Sequence, residues 1–167
     1  MKHAFQLLSA SLLAACLASC ASLLAPPVQP GEAESEVIAR LGKPTHTYKD
    51  GQERLLEYMQ GPFGQMTYMA RIGADGRLKS YEQVLTSQRF ASIKPGEVRK
   101  EDVLKTVGAP SLIQHFSATG LEAWSYPYKE DNAWDSMMTV YFDQAGVVRK
   151  LENGPDPRRM GNDNPKD

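Results

Sequence analysis

The chain contains the same short pattern at two places. A Pro-Gly pair precedes the stretch EVIARLGKP at positions 36–44, and a second Pro-Gly pair precedes the stretch DVLKTVGAP at positions 102–110. Self-similarity of this kind indicates that one structural unit is repeated along a chain. The polypeptide is therefore predicted to fold as two tandem copies of a small unit.

Each copy begins with a predicted short helix. The apolar residues that share one helix face are Val37, Ile38 and Leu41 in the first copy and Val103, Leu104 and Val107 in the second. The glycine that follows suits a left-handed position at a helix end, and the proline beyond it cannot extend the helix. Helices of about two to three turns are unstable alone, so both must pack on another element.

Alternating apolar residues after each helix predict antiparallel strands joined by glycine-containing turns. The predicted strands cover residues 45–49, 54–59, 66–72 and 77–85 in the first copy, and 112–116, 124–128, 138–142 and 147–151 in the second. The order of elements predicts an α+β fold, in which one or two short helices lie on one face of a sheet of three or four strands.

The N-terminus carries the features of a secretory signal. Met1-Lys2-His3 is followed by an uncharged, apolar run at 4–18, which is too short to span a bilayer as a helix. The run ends in Leu17-Ala18-Ser19-Cys20, which resembles a bacterial lipobox. The resemblance implies cleavage before Cys20, a diacylglyceryl group on its thiol and acylation of the new amino terminus. The alternative is an ordinary signal peptide cut near Ala21 or Ala25.

The mature chain is predicted to hang from a membrane by this lipid. The residue after the cysteine is alanine rather than aspartate, and by the lipoprotein sorting rule this implies the periplasmic face of the outer membrane. Removal of residues 1–19 takes away Lys2 and no acid, so the formal charge changes from −1 to −2. A nearly neutral chain has no bulk electrostatic reason to bind nucleic acid.

The predicted organisation has five parts. They are a signal peptide at 1–19, a lipidated tether at 20–30, a first unit at 31–89, a second unit at 90–152 and a disordered tail at 153–167. The tail is polar and rich in proline, glycine and asparagine. Because Cys16 leaves with the signal peptide and Cys20 carries lipid, no pair is left for a disulfide, and packing alone must stabilise the fold.

Several motifs follow one another in the second copy. They are Val103, the triplet Gly108-Ala109-Pro110, the triplet Trp124-Ser125-Tyr126 and the stretch VYFDQAGV at 140–147. The first copy carries looser versions, such as Leu56-Glu57-Tyr58. In this order the motifs resemble the SmpA/OmlA (BamE) family of small outer-membrane lipoproteins.

The resemblance implies a helical hairpin on a three-stranded antiparallel sheet. That fold is also similar to the β-lactamase inhibitory protein, a tandem of two such units. It implies a non-enzymatic subunit of the machinery that inserts β-barrel proteins into the outer membrane, with other assembly proteins as partners and no cofactor. Two departures are visible: the best-known members carry one copy, and Ala33 and Arg99 stand where the family has Thr or Ser.

No group of residues predicts catalysis or metal binding. His46 and His115 follow the two Gly-x-Pro triplets at equivalent places, without the spacing of a metal site, and are predicted to be surface residues on strands. The acid pairs Asp131/Asp135 and Glu53/Glu57 are of a common kind that is usually solvated. The sequence therefore predicts a chain that is not an enzyme; an envelope enzyme would need the histidines and acids to share one pocket.

Aromatic residues are the remaining candidates for a contact with another protein. Trp124, Tyr126 and Met138 are predicted to fill the core, whereas Phe63 and Trp134 lie near loops and are the candidate contact residues. The leading hypothesis is an outer-membrane lipoprotein that acts as a binding or scaffold subunit in β-barrel assembly. The alternative is a membrane-tethered inhibitor or sensor of a periplasmic enzyme.

Overall fold

The computed structural model describes residues 27–61 and 64–159. The first unit contains helix α1 (Glu34–Leu41) and strands β1 (His46–Asp50), β2 (Glu53–Gln60), β3 (Met66–Ile72) and β4 (Leu78–Gln83). The second contains helices α2 (Ser87–Ala91) and α3 (Lys100–Val107) and strands β5 (Leu112–Phe116), β6 (Leu121–Glu130), β7 (Trp134–Phe142) and β8 (Val148–Pro155). The strands form two antiparallel sheets of four, each ordered as in the sequence. The predicted α+β class is confirmed.

The ends of α1 and α3 follow from the repeated sequence. Each helix is followed by a glycine with positive φ, 84° at Gly42 and 85° at Gly108, which a residue with a side chain rarely adopts. At the other end Ala33 and Arg99 are the N-caps. Neither supplies a capping side chain, but an acid three residues on accepts a bond from the cap N–H, Glu36 in α1 and Asp102 in α3.

Two apolar cores combine residues of a helix with residues of a sheet. In the first core Val37 of α1 clusters with Leu56, Tyr58, Ala70 and Ile72 of β2 and β3. In the second core the cluster joins Val103 and Val107 of α3 to Trp124, Tyr126, Met138, Val140 and Phe142 of β6 and β7. Each fully buried aliphatic side chain contributes about 1.5–3 kcal/mol, which is how such short helices are stabilised.

The boundaries predicted for the units differ from the structure in three places. Val28, placed in the tether from its proline-rich surroundings, is buried in the first core. Leu85, placed in the first unit, belongs to the core of the second, together with Phe90, which packs on Tyr126 and Tyr128. The tail predicted from residue 153 starts too early: β8 runs to Pro155, since proline is tolerated on an edge strand.

The backbone of the two units repeats as the sequence does. The N–H of Gly31 donates to the carbonyl of Leu78, and the N–H of Gly96 donates to the carbonyl of Val148, both at 2.8 Å. The N-caps of α1 and α3 each form an isolated bridge to the residue just before the last strand of their unit, Ala33 to Arg77 and Arg99 to Val147. The internal repeat is therefore structural as well as sequential.

The second unit lies against the first sheet. Lys105 of α3 approaches Asp50 of β1, with 3.9 Å between its Nζ and the nearer carboxylate oxygen. The N–H of Ala109, just past the end of α3, lies 3.2 Å from both carboxylate oxygens of Glu57 on β2. The end of α3 thus touches both sheets. Within the described ranges, no helix has the length and apolar character needed to cross a bilayer.

Candidate functional site

Alternate residues of β6 and β7 point to opposite faces of the second sheet. One face is the core, to which Tyr126 and its register partner Met138 belong. The opposite face carries the residues between them, and we call it the outer face. Away from the Lys129–Asp135 pair at one end, its members are Leu112, Gln114, Phe116, Leu121, Ala123, Ser125, Met137, Thr139 and Tyr141.

The outer face is apolar and carries exposed large side chains. Leu112 is 52% exposed and Phe116 is 42% exposed, although both are hydrophobic. The rings of Phe116 and Tyr141 lie 6.4 Å apart, and the Nζ of Lys150 sits 4.2 Å from the centre of the Tyr141 ring. A hydrogen bond to Glu152, together with burial, raises the pKa of Tyr141 above its ordinary value. The patch is therefore aromatic and aliphatic in the middle, with charges along its β8 border.

The same face of the first sheet is covered. Register identifies the equivalent residues, because Glu57 pairs with the first residue of β1 and Ser125 pairs with the first residue of β5. Glu57 is fully buried beneath the end of α3, whereas Ser125, although buried, pairs with Leu112, which is 52% exposed. One sheet is thus capped by the following unit, and in the described part of the chain no unit follows the second sheet.

Glu57 is the polar centre of the contact between the units. Its carboxylate accepts the Tyr48 hydroxyl and the N–H of Ala109, and the Nδ1 of His46 lies 3.4 Å away. A Cβ at Gly108 would come within 3.0 Å of the Glu57 carboxyl, so the backbone approaches closely here. Burial, then the hydrogen bond to Glu57 and its negative charge, raise the pKa of Tyr48 well above its usual range.

The predicted contact residues have different outcomes. Trp134 opens β7 and is 72% exposed, so it can contact another protein. Phe63 and the predicted lipidation site Cys20 lie outside the described residues. Trp124, Tyr126 and Met138 are buried, which confirms their prediction as core residues.

The two histidines lie in different sheets. His46 is the first residue of β1, whereas His115 is the fourth residue of β5, so they are not equivalent positions; the register counterpart of His46 is Leu112. The equivalence inferred from the sequence was wrong because both histidines merely follow a Gly-x-Pro triplet. Both side chains are exposed on strands, as predicted.

One open cleft holds several ionisable side chains. It has a volume of about 260 Å³, and its lining includes His115, Glu122, Asp143 and Lys100. Glu122 pairs with Lys100 at 2.8 Å and lies 3.4 Å from the Nδ1 of His115. Burial alone would raise the pKa of Glu122, but hydrogen bonds from Lys100 and Trp124 outweigh it, so the pKa lies below its ordinary value. Among the described residues, no group of three or more His, Cys, Asp or Glu could hold a metal ion.

Sequence reasoning did not identify the outer face or the role of Glu57. The stretch LIQHF of β5 carried a usable signal, because it has apolar residues on both sides of the strand and no charge. Glu57 carried none, since an acid in a half-buried strand is usually solvated and its burial depends on a unit that begins many residues later.

The second unit matches a known protein family. Residues 82–152 match the family model described as "Outer membrane protein assembly factor BamE domain". This range starts within β4 and contains α2, α3 and the first part of β8 together with the three strands between. No curated protein matches the chain at a significant level. The second unit is therefore similar to the BamE domain of outer-membrane protein assembly factors, as the motifs in the sequence predicted.

Proposed function

We propose that this protein is a non-catalytic binding subunit of outer-membrane protein assembly, and that it binds its partner through the outer face. The observation that carries this proposal is an apolar face, within a BamE domain, whose β5 side exposes Leu112 and Phe116. Patches of exposed apolar side chains on a monomer mark sites of contact with other proteins. The outer face has aromatic and aliphatic side chains in the middle and a polar border, which is the composition typical of protein interfaces.

The first unit is proposed to be a second BamE-like unit with a different role. Its support is the shared order of a helix and a four-stranded sheet, together with the repeated backbone bonds. In each unit the helix would pack on the inner face of its sheet. Because the outer face of the first sheet is occupied by α3 and Glu57, only the second unit presents that face to a partner.

The protein is further proposed to be a lipoprotein of the outer membrane, anchored at Cys20 and facing the periplasm. Support comes from the lipobox-like sequence before Cys20 and from the assembly-factor description of the family. A lipid at Cys20 would leave the two units connected to the membrane by the short stretch that ends at Val28, where the chain enters the first core.

Charges placed on the outer face should abolish partner binding. We expect the full-length protein, purified by affinity from solubilised outer membrane, to recover β-barrel assembly proteins identified by mass spectrometry. The double variant Met137→Glu, Tyr141→Glu should lose them, because two unpaired acids would have to be desolvated in the interface. The matched control is Ser35→Glu, Ala39→Glu, which places the same two charges on the exposed side of α1.

Three results would count against the proposal. They are recovery of no assembly protein, equal recovery by the outer-face variant and the wild type, and loss of recovery in the α1 control. A periplasmic hydrolase as the sole stoichiometric partner would replace the assembly role with that of a tethered inhibitor. Circular dichroism of both double variants must match the wild type, which shows that the fold is retained.

A further inference from the structure

Strand β5 is an unprotected sheet edge. It is the first strand of the second sheet, and among the described residues it pairs only with β6; all five of its own residues are exposed. Three of its side chains are large and apolar, with Ile113 (48% exposed) on the side opposite to Leu112 and Phe116. An exposed edge presents unpaired N–H and C=O groups that can pair with another strand.

The other edge strands of the two sheets carry charged residues, which disfavour pairing with a further strand. The edge strands β1, β4 and β8 contain Lys49 and Asp50, Lys79 and Glu82, and Arg149, Lys150 and Glu152. Of the four edge strands that the structure describes, β5 alone has no Lys, Arg, Asp or Glu. Charged residues, lysine above all, are the usual means by which proteins prevent edge pairing. Their absence from one edge only is a specific feature of the second unit.

We propose that β5 pairs with β5 of a second copy of this chain, antiparallel and centred on Gln114, to form a symmetric dimer. This proposal does not depend on the assembly role. In that register Leu112 lies opposite Phe116 of the partner copy on the outer-face side, twice by symmetry. Gln114 lies opposite its own counterpart, where the two amides can bond to each other. Ile113 lies opposite His115 on the other side, and no like charges meet.

The dimer joins the two second sheets into one sheet of eight strands. Their outer faces become continuous, because Leu112 and Phe116 belong both to the outer face and to the pairing strand. A contact of five residues per strand is small, and interfaces of that size are weak. Attachment of both copies to one membrane would raise their effective concentration and favour the pair.

Single cysteines test the register. Full-length Gln114→Cys, oxidised in isolated membranes with copper–phenanthroline, is expected to give a disulfide-linked dimer on a non-reducing gel, because directly opposed strand residues lie within disulfide reach. Leu112→Cys alone should not, since its two copies would lie about 14 Å apart. Membranes that contain both single variants, Leu112→Cys and Phe116→Cys, should again give the dimer. Thr47→Cys on the charged edge strand β1 and the wild type serve as controls that should give no dimer.

A charge at the centre of the pair provides an independent measurement. Gln114→Lys places two ammonium groups opposite each other. In detergent at high protein concentration, where the wild type is expected to sediment as a dimer, this variant should sediment as a monomer with an unchanged circular dichroism spectrum. The proposal is overturned if the wild type sediments as a monomer and Gln114→Cys gives no dimer. It is overturned equally if Leu112→Cys crosslinks as well as Gln114→Cys, or if β5 is instead occupied by a strand of a different protein.

Discussion

Replacement of Glu57 by alanine is expected to lower the free energy of unfolding by about 3 kcal/mol. The carboxylate accepts bonds from the Tyr48 hydroxyl and the Ala109 N–H inside the contact between the two units. Without it both donors lose their acceptor, and each unsatisfied buried donor costs about 1–3 kcal/mol. Urea unfolding followed by circular dichroism measures the loss.

Two variants make this test specific. Glu57→Gln keeps one oxygen that can accept the Ala109 N–H but loses the charge, so its destabilisation should lie between that of the alanine variant and the wild type. Glu97→Ala removes an exposed glutamate of the second unit and should change stability by less than about 0.5 kcal/mol. An alanine variant at Glu57 as stable as the Glu97 variant would show that the buried carboxylate does not hold the units together.

Replacement of Cys20 by alanine is expected to release the protein from the membrane. Each acyl methylene buried in a bilayer contributes about 0.8 kcal/mol, and one chain binds only reversibly, so the several chains of a lipoprotein determine its location. The variant should lose palmitate labelling and leave the membrane fraction. Cys16→Ala is the matched control, because Cys16 lies in the predicted signal peptide and should be absent from the mature protein.

Palmitate labelling of the Cys20 variant at the wild-type level would contradict the anchor. A mature protein that begins at Ala21 or Ala25 would do so as well, since it would indicate an ordinary signal peptide. Either result would remove the inferred outer-membrane attachment and leave the fold of the two units unaffected.

Local patterns in the sequence were sufficient to predict the repeated unit. The Gly-x-Pro triplets ended both helices where predicted, at Gly42 and Gly108, because this signal acts within a few residues. The alternating residues of β6 and β7 likewise identified Trp124 and Tyr126 as core. Each sheet has four strands, which agrees with the predicted number of three or four.

The contact between the units could not be predicted, because it joins residues that are far apart in the sequence. Burial of Glu57 depends on Ala109, and nothing near Glu57 in the sequence distinguishes it from the partly exposed Glu53 on the same strand. The exposure of the outer face could not be located from the sequence for the same reason. The uncharged stretch LIQHF of β5 indicates an exposed apolar strand, but only the structure shows which sheet face the chain covers and which it leaves exposed.

The most direct test of the central claim is a photo-crosslink from the outer face in living cells. A photoreactive phenylalanine analogue at Met137 of the full-length protein is predicted to form an adduct with a β-barrel assembly protein, identified by mass spectrometry. The same analogue at Ser35, on the exposed side of α1, is predicted to form none. An adduct with an assembly protein from position 35 but not from position 137 would contradict the assignment of the outer face as the binding site.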